Sequence, residues 1–201
     1  MSVALIDYGA GNLQSVRNAL KAAGAEQIVV TADPDAVRAA DRIVLPGVGA
    51  FAHCMNALSA IPGMVDALND VTGDGAKPFL GICVGMQLMA DAGEEHGLHP
   101  GLGWMKGCVK LMTPTNPETK IPHIGWNDVV PLNPHPLVEA GEAYFLHSYA
   151  YWGDDVVAHT ALGAPVAAAI GRDNRIGVQF HPEKSQGYGL KFLNKFLTWK
   201  P

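Results

Sequence analysis

The sequence has few cysteines, little positive charge and no long apolar run, and each shortage excludes a class of protein. Its three cysteines are an odd number without CxxC pairing, so neither a disulfide framework nor a zinc site is expected, and no spacing among the eight histidines suggests a metal site. The 14 Lys and Arg against 19 Asp and Glu give a net charge of -5, which argues against a nucleic-acid partner. No segment resembles a membrane span or a signal peptide, so we expect a soluble, cytoplasmic protein.

Apolar residues, in contrast, are plentiful. They make up 48% of the 201 residues, which is enough for a substantial core. No linker, repeat or low-complexity segment divides the chain. We therefore expect one domain over residues 1–201.

The pattern of apolar residues changes along the chain. In the first half, short strand-like runs alternate with segments of helical spacing, which predicts a parallel sheet covered by helices on both faces. In the second half, strand-like runs are separated by Pro, Gly and Asn, which predicts an antiparallel extension with a hairpin turn at 172–174 and a closing helix around 190–197. The fold class is therefore α/β. The strand-like runs lie at 3–7, 28–30, 43–45, 79–82, 108–112, 128–132, 144–151, 156–162 and 167–180.

One cysteine, Cys83, lies between two glycines in the segment Gly-Ile-Cys-Val-Gly at 81–85, after an apolar strand and before a helical pattern over 84–90. This arrangement is typical of a sharp turn that presents a nucleophile. We therefore expect Cys83 to be exposed, with a helix N-terminus that favours its thiolate and offers N–H groups to an oxyanion. The alternative is a buried core cysteine, which is what we expect of Cys54 and Cys108.

A histidine and a carboxylate follow the last strand-like run, where the segment 177–183 reads Gly-Val-Gln-Phe-His-Pro-Glu. His181 lies where the strand stops at a proline, and strand ends are where parallel-sheet enzymes place their chemistry. Glu183 can lie on the same side and accept a ring N–H of the histidine. Cys83, His181 and Glu183 are thus a candidate triad. Alternatively, His181 is a surface histidine beside a solvated carboxylate.

A glycine-rich loop, Leu-Pro-Gly-Val-Gly-Ala-Phe at 45–51, follows the third predicted strand. We expect its backbone amides at the same sheet edge as Cys83, where they can supply a second donor to an oxyanion. Phosphate binding is a weaker interpretation, because neither a Gly-Lys-Ser/Thr ending nor the full dinucleotide glycine pattern is present. An ordinary strand-to-helix turn remains the other alternative.

Taken together, four segments resemble the glutaminase subunit family of imidazole glycerol phosphate synthases, a branch of the class I glutamine amidotransferases. They are Pro-Gly-Val-Gly at 46–49, Gly-Ile-Cys-Val-Gly-Met-Gln at 81–87, Ile-Pro-His-Ile-Gly-Trp-Asn at 121–127 and Phe-His-Pro-Glu-Lys-Ser at 180–185. The resemblance extends nearly end to end. It implies a flavodoxin-like sheet, a glutaminase without a cofactor, and a part in histidine biosynthesis.

The resemblance also implies a mechanism. Cys83 attacks the side-chain amide of L-glutamine, His181 passes a proton to the departing ammonia, and Glu183 orients His181. Water then hydrolyses the glutamyl thioester to glutamate, while the backbone N–H groups of Val48 and Val84 hold the oxyanion. The family further implies that the oxyanion loop is misaligned until the partner binds its nucleotide substrate.

Two further sets of residues follow from the resemblance alone. One set borders the glutamine pocket: Gly49, Gln87, Glu95, His147, Ser148 and Tyr149. The other meets the partner: Asn12, His123, Trp126, Asn127, Tyr144 and Lys184. The implied partner is a synthase (cyclase) subunit with a (β/α)8 barrel, joined in a heterodimer. It uses the channelled ammonia to convert a ribulosyl-formimino nucleotide (PRFAR) into imidazole glycerol phosphate and an aminoimidazole carboxamide ribotide (AICAR).

Other readings fit the same residues. A glutaminase subunit of another amidotransferase pathway would keep the triad and change the partner. A cysteine hydrolase acting on peptides or esters could use the same sheet and side chains. A scaffold without activity is a further alternative, against which the intact triad argues. Without the resemblance, Trp126 and Tyr144 would be ordinary aromatics between core and surface.

Overall fold

The computed structural model describes residues 1–73, 76–113 and 119–201. Its strands are β1 Ser2–Ile6, β2 Gln27–Thr31, β3 Arg42–Leu45, β4 Phe79–Ile82, β5 Ala90–Gly93, β6 His99–Pro100, β7 Met105–Leu111, β8 His123–Pro131, β9 Gly141–His147, β10 Tyr149–Gly153, β11 Val156–Leu162, β12 Ala164–Arg172 and β13 Arg175–Val178. Its helices are α1 Leu13–Ala22, α2 Pro34–Ala39, α3 Phe51–Ser59, α4 Met64–Thr72, α5 Val84–Gln87 and α6 Gln186–Thr198, with a 3-10 turn at Pro182–Lys184.

The large sheet has a parallel half and an antiparallel half. Among the described residues it contains nine strands in the order β2-β1-β3-β4-β13-β12-β11-β8-β9. The first five are parallel, in the order of flavodoxin-like folds with β13 as the fifth strand. The remaining strands pair antiparallel. The predicted α/β class, with a helix-flanked parallel sheet and an antiparallel extension, is confirmed.

Burial explains why the parallel strands read as continuous apolar runs. Every residue of β3 and β4 is buried, as expected for strands covered on both faces. Helix α1 packs against α6, and α2 packs against α4. Helix α1 buries Val16, Ala19 and Leu20, which are spaced three and four residues apart, and Asn12 caps its N-terminus.

The predicted hairpin and closing helix are confirmed. Strands β12 and β13 pair up to Arg172 and Arg175, and Asp173 in the turn has a φ of +53°. Asp and Asn tolerate this left-handed conformation better than most residues do. Helix α6 buries Leu193, Phe196 and Leu197.

A second sheet was not predicted as a separate unit. Within the described part of the chain it contains four strands in the order β10-β7-β5-β6. The run 144–151 was predicted as one strand, but it divides at Ser148 between β9 in the large sheet and β10 in the small one. No helix of the described residues is long and apolar enough to cross a membrane.

The predicted helix over 84–90 is wrong in length. It ends at Gln87, and β5 begins at Ala90. The carbonyl groups of Leu88, Met89 and Ala90 accept hydrogen bonds from the segment 102–105 instead of continuing the helix. Tertiary pairing therefore overrides local helix propensity here.

Topology places the candidate site. Strands β3, β4 and β13 are neighbours that run in the same direction, with Leu45 opposite Gly81 and Ile82 opposite Val178. The residues that follow each strand therefore meet at one edge of the sheet, which is where α/β folds bind ligands.

Candidate active site

The turn after β4 holds its cysteine in an unusual backbone conformation. Cys83 has φ +53° and ψ -112°, and its N–H donates to the carbonyl of Val178 at 2.8 Å. A side chain at Gly81 would lie 2.6 Å from the carbonyl oxygen of Gly85, and one at Gly85 would overlap the carbonyl oxygen of Leu45. The two glycines are thus required by the close approach of β3, β4 and α5, and the strained residue between them marks a functional turn.

Cys83 is not exposed, contrary to the sequence-based expectation. Only 4% of the residue is accessible, but it lines a cavity of about 230 Å³. The residues 146–149, at the junction of β9 and β10, line the same cavity. Helix α5 has only four residues, so its start offers N–H groups without intrahelical partners rather than the dipole of a long helix.

The structure brings His181 and Glu183 together. The imidazole Nδ1 lies 2.8 Å from Oε1 of Glu183, and the side chains of His181 and Glu183 are 4% and 2% exposed. The main chain of His181 is fixed at both ends, because its N–H donates to Tyr144 and its carbonyl accepts from Ser185. Burial lowers the pKa of His181, but interactions with the ionised Cys83 sulfur and the Glu183 carboxylate, which favour the imidazolium, outweigh this effect and raise the pKa to about 9.

The loop between β3 and α3 lies against the turn at Cys83. A side chain at Gly47 would lie 2.6 Å from the backbone nitrogen of Gly85. The buried Tyr8 hydroxyl donates to the carbonyl of Pro46 at 2.7 Å, and the Cys54 thiol donates to that of Val48 at 3.3 Å. The first bond fixes the peptide unit between residues 46 and 47, and the second fixes the unit between residues 48 and 49. The unit between residues 47 and 48, which carries the Val48 N–H, lies between these two.

The other two cysteines differ from each other. Cys54 is buried in the core, as predicted, and burial raises the pKa of its thiol. Cys108 is only partly buried, so the prediction of a core position is wrong. It lies on β7 with its sulfur 3.6 Å from Oε1 of Glu94.

All residues predicted to border the glutamine pocket line the same cavity as Cys83 and His181. They are Gly49, Gln87, Glu95, His147, Ser148 and Tyr149, and the predicted oxyanion residues Val48 and Val84 line it as well. Sequence reasoning missed Leu146, which also lines it. Adjacent residues of a strand point to opposite faces, so the position of Leu146 next to His147 gave no signal for this. Its backbone carbonyl is the group that approaches Cys83, at 3.9 Å from the sulfur.

Two of the lining residues are fixed by hydrogen bonds. The carboxylate of Glu95 accepts from the backbone N–H of Phe51 at 2.7 Å, at the start of α3. The amide nitrogen of Gln87 donates to the carbonyl of Tyr149 at 3.0 Å. Both side chains are therefore held in place by backbone groups.

A chain of hydrogen bonds leads from this cavity into β8. Nδ1 of His147 lies 2.9 Å from the carbonyl oxygen of Tyr149, Nε2 lies 3.2 Å from Nδ1 of His123, and Nε2 of His123 lies 3.1 Å from Asn127. Because a carbonyl only accepts, His147 carries its proton on Nδ1, and His123 must do the same. Burial lowers the pKa of His147 to about 4, so both rings are neutral at pH 7.

His123 does not lie on the surface predicted to meet the partner. It is 5% exposed and stacks on Phe145 with 4.7 Å between ring centroids. Its place opposite His147 in the β8–β9 pairing directs it inward. His123 therefore lies beneath the face that is predicted to meet the partner, and its assignment to that face stays a prediction.

The other predicted partner residues are at least partly accessible. Trp126 is 48% exposed and meets Tyr144 edge to face at 6.2 Å, and Nζ of Lys184 lies 5.7 Å from the centroid of the Tyr144 ring. Asn127 is half-buried, and Asn12 is exposed at the start of α1. Ile124 and Leu146, paired across β8 and β9, add exposed apolar area on this side.

In the ranges that the structure describes, no three His, Cys, Asp or Glu side chains are grouped as a metal site would require.

Comparisons with known proteins agree over nearly the whole chain. The family model for glutamine amidotransferase class-I matches residues 4–199. The imidazole glycerol phosphate synthase subunit HisH of Zymomonas mobilis is 61% identical over 206 aligned positions, covering 100% of this chain and 97% of that protein. The HisH subunit of Rhodopseudomonas palustris is 50% identical over 216 positions, covering 100% of both.

Solved structures share the fold at lower identity. A crystal structure of a glutamine amidotransferase aligns with a TM-score of 0.75 at 17% identity, covering 98% of this chain and 97% of that one. PurLQS from Thermotoga maritima aligns with a TM-score of 0.72 at 21% identity, with the same coverage of 98% and 97%. Similarity at this level of identity concerns the fold alone.

Proposed function

Because the chain belongs to the class I glutamine amidotransferase family, we propose that it is the glutaminase subunit of an imidazole glycerol phosphate synthase. Its closely similar full-length relatives carry that name. We propose further that residues 1–201 act as one domain, and that the ammonia it releases serves histidine biosynthesis.

The observation that carries the proposal is the shared cavity of Cys83 and His181, with Glu183 hydrogen-bonded behind His181. The thiolate of Cys83 attacks the side-chain carbonyl carbon of glutamine and forms a C–S bond. The C–N bond then breaks, and His181 donates a proton to the nitrogen that leaves as ammonia. A pKa of about 9 keeps His181 protonated at neutral pH, ready for this step.

The second half of the cycle restores the enzyme. With ammonia gone, His181 is neutral and takes a proton from a water molecule that attacks the thioester. The C–S bond breaks, and glutamate and the Cys83 thiolate are released. Glu183 holds the imidazole in the orientation that both steps need, as the third member of a triad does.

The oxyanion that forms in both halves needs donors close to Cys83. We assign this role to the backbone N–H groups of Val48 and Val84, whose residues line the same cavity as Cys83. Such donors contribute most where water is excluded. The hydrogen bonds from Tyr8 to Pro46 and from Cys54 to Val48 hold two peptide units of the loop in place. Only the peptide unit between these two, which carries the Val48 N–H, remains able to rotate.

The cavity suits a small amino acid. Its volume of about 230 Å³ is below the range of about 300–1,000 Å³ for drug-sized ligands. With the side-chain amide of glutamine at the buried Cys83, we assign its α-amino group to the carboxylate of Glu95. Gly49, Gln87, His147, Ser148 and Tyr149 complete the pocket.

The proposed partner face adjoins this pocket. Trp126, Tyr144 and Lys184 form a partly exposed cluster, with Asn12 and Asn127 as polar neighbours and with His123 acting from beneath. Aromatic and long basic side chains of this kind are typical anchors of an interface. A synthase (cyclase) subunit docked there, as a barrel in a heterodimer, would receive ammonia before water protonates it.

The test is an assay of glutamate formation from glutamine. It uses the chain alone, the chain with the synthase subunit, and the pair with the nucleotide substrate, with Cys83→Ala in parallel. We expect low activity alone, a strong rise with both additions, and loss in Cys83→Ala. If the synthase subunit changes nothing, the chain serves another pathway. An active Cys83→Ala, or a thiol that cleaves only esters or peptides, would refute the mechanism.

A further inference from the structure

Gln179 is a buried side chain that none of the steps above uses. It lies between the end of β13 and His181, and the residue is 0% exposed. Its amide nitrogen Nε2 lies 3.6 Å from the sulfur of Cys83, and its Oε1 lies 3.0 Å from Nε2 of Gln87. Because this buried amide contacts the proposed nucleophile, its effect depends on which end, the oxygen or the NH2 group, faces the sulfur.

The surrounding hydrogen bonds fix which end of Gln179 faces the sulfur. The carbonyl oxygen of Tyr149 can only accept, so the group of Gln87 that lies 3.0 Å from it must be the NH2 group. The same nitrogen of Gln87 lies 3.0 Å from Gln179, so Gln179 must direct its oxygen toward Gln87. Its NH2 group is then left to point at Cys83.

A donor at this position acts differently on the two forms of the cysteine. A thiolate accepts the N–H of Gln179 with a full negative charge, which makes the bond stronger than one to a neutral thiol. The carbonyl oxygen of Leu146, 3.9 Å from the sulfur, has the opposite preference, because it can accept only from the thiol. The contact with Gln179 therefore favours ionisation, and that with Leu146 opposes it.

We propose that Gln179 is a catalytic residue that donates a hydrogen bond to the sulfur of Cys83 and favours its thiolate. This inference rests on the proposed function, in which Cys83 is the nucleophile. Gln87 and the carbonyl of Tyr149 act as positioning groups, since they determine the orientation of the Gln179 amide. The glutamine pocket and the activation of the nucleophile thus share one hydrogen-bonded chain.

Other ionisable groups also face this region, and a test of Gln179 must leave these residues unsubstituted. Tyr8 after β1, Cys54 on α3 and His181 after β13 are near enough to Cys83 for charge–charge interaction with its sulfur. His147 on β9 and the Glu95 carboxylate line the same cavity. All of these residues are kept when only Gln179 is substituted.

The experiment measures the rate at which iodoacetamide alkylates Cys83 as a function of pH, with peptide mass spectrometry to separate Cys83 from Cys54 and Cys108. Gln179→Met keeps the length of the side chain and removes the donor. We expect the apparent pKa of alkylation to rise by about one unit, so that the rate below that pKa falls about tenfold. Gln179→Glu places a carboxylate beside the sulfur and should raise the apparent pKa further.

Asn174→Leu is the matched control. It removes another buried side-chain amide, which donates to the carbonyl of Lys77 at the opposite end of β13. We expect it to lower stability without moving the pH profile of Cys83. A profile that is unchanged in both Gln179 variants, or one that Asn174→Leu moves equally, would overturn the inference.

The same protein preparations separate this inference from the proposed function. Loss of glutaminase activity in Cys83→Ala tests whether Cys83 is the nucleophile at all. The alkylation profile tests Gln179 whether or not glutamine is the substrate. If Gln179→Met proves unstable in thermal unfolding, Gln179→Glu, which can still accept from Gln87, gives the decisive profile.

Discussion

Replacing Glu183 by Gln should change stability in a way that depends on pH. The variant keeps an oxygen that can accept from Nδ1 of His181, and it removes the negative charge. In the native protein, burial lowers the pKa of His181, whereas the hydrogen bonds with Cys83 and Glu183 raise it from 6.5 to about 9. Because one pKa unit corresponds to about 1.4 kcal/mol, this increase corresponds to at most about 3 kcal/mol of stability at low pH.

The sign of the pH dependence follows from the direction of this change. A group whose pKa is raised on folding stabilises the folded state fully below its unfolded pKa of 6.5, and it loses this effect as the pH passes about 9. Since Cys83 supplies part of the increase, we expect Glu183→Gln to lower the free energy of unfolding by about 1–2 kcal/mol near pH 6.5. The difference from the native protein should shrink toward zero above pH 9.

Urea denaturation of both proteins at a series of pH values measures this difference, and NMR titration of His181 measures its cause. Glu139→Gln is the control, because Glu139 is a surface carboxylate that pairs with Lys191 and Lys195. Its pKa is lowered to about 2 by those lysines, so its contribution is constant between pH 6.5 and 9. A loss of stability in Glu183→Gln that is equal at all pH values would show a packing effect and refute the reasoning.

Two further predictions concern the turn at Cys83 and the proposed partner face. Gly85→Ala should lower the free energy of unfolding by about 3 kcal/mol or more, because the new methyl group overlaps the carbonyl oxygen of Leu45. In contrast, Gly187→Ala on α6, where a side chain meets nothing within 4 Å, should be neutral or slightly stabilising by thermal unfolding. Trp126→Ala should weaken binding to the synthase subunit by about tenfold or more in calorimetry. Trp152→Ala removes a tryptophan that is 45% exposed on β10, and an equal loss of affinity in that variant would contradict the proposed location of the interface.

Much of the parallel sheet could be predicted because its central strands are buried on both faces. The runs around β3 and β4 are apolar at nearly every position. This pattern can be recognised in the sequence without knowledge of the tertiary structure. The grouping of Cys83 and His181 followed from the same rule, since both lie just after a strand.

The parts that were missed depend on contacts between distant segments. Helix α5 is short because the segment 102–105 takes the carbonyl groups after it. The run 144–151 divides at Ser148 because β10 pairs with β7, which no local pattern records. Cys83 and His123 are buried by residues of β9. A local sequence motif does not show which distant residues will cover it.

The position of β13 in the sheet also determines when a growing polypeptide can become active. Strand β4 and the turn at Cys83 are synthesised before β13, which lies far along the sequence. Strand β13 nevertheless pairs with β4, with Val178 opposite Ile82. His181 and Glu183 follow β13 directly. Residue 181 lies about nine-tenths of the way along the 201 residues, so most of this sequence must be synthesised before the Cys83 sulfur can meet the imidazole. Chains that end before β13 therefore carry the cysteine without the histidine and carboxylate that we propose act with it, and we expect them to leave glutamine intact.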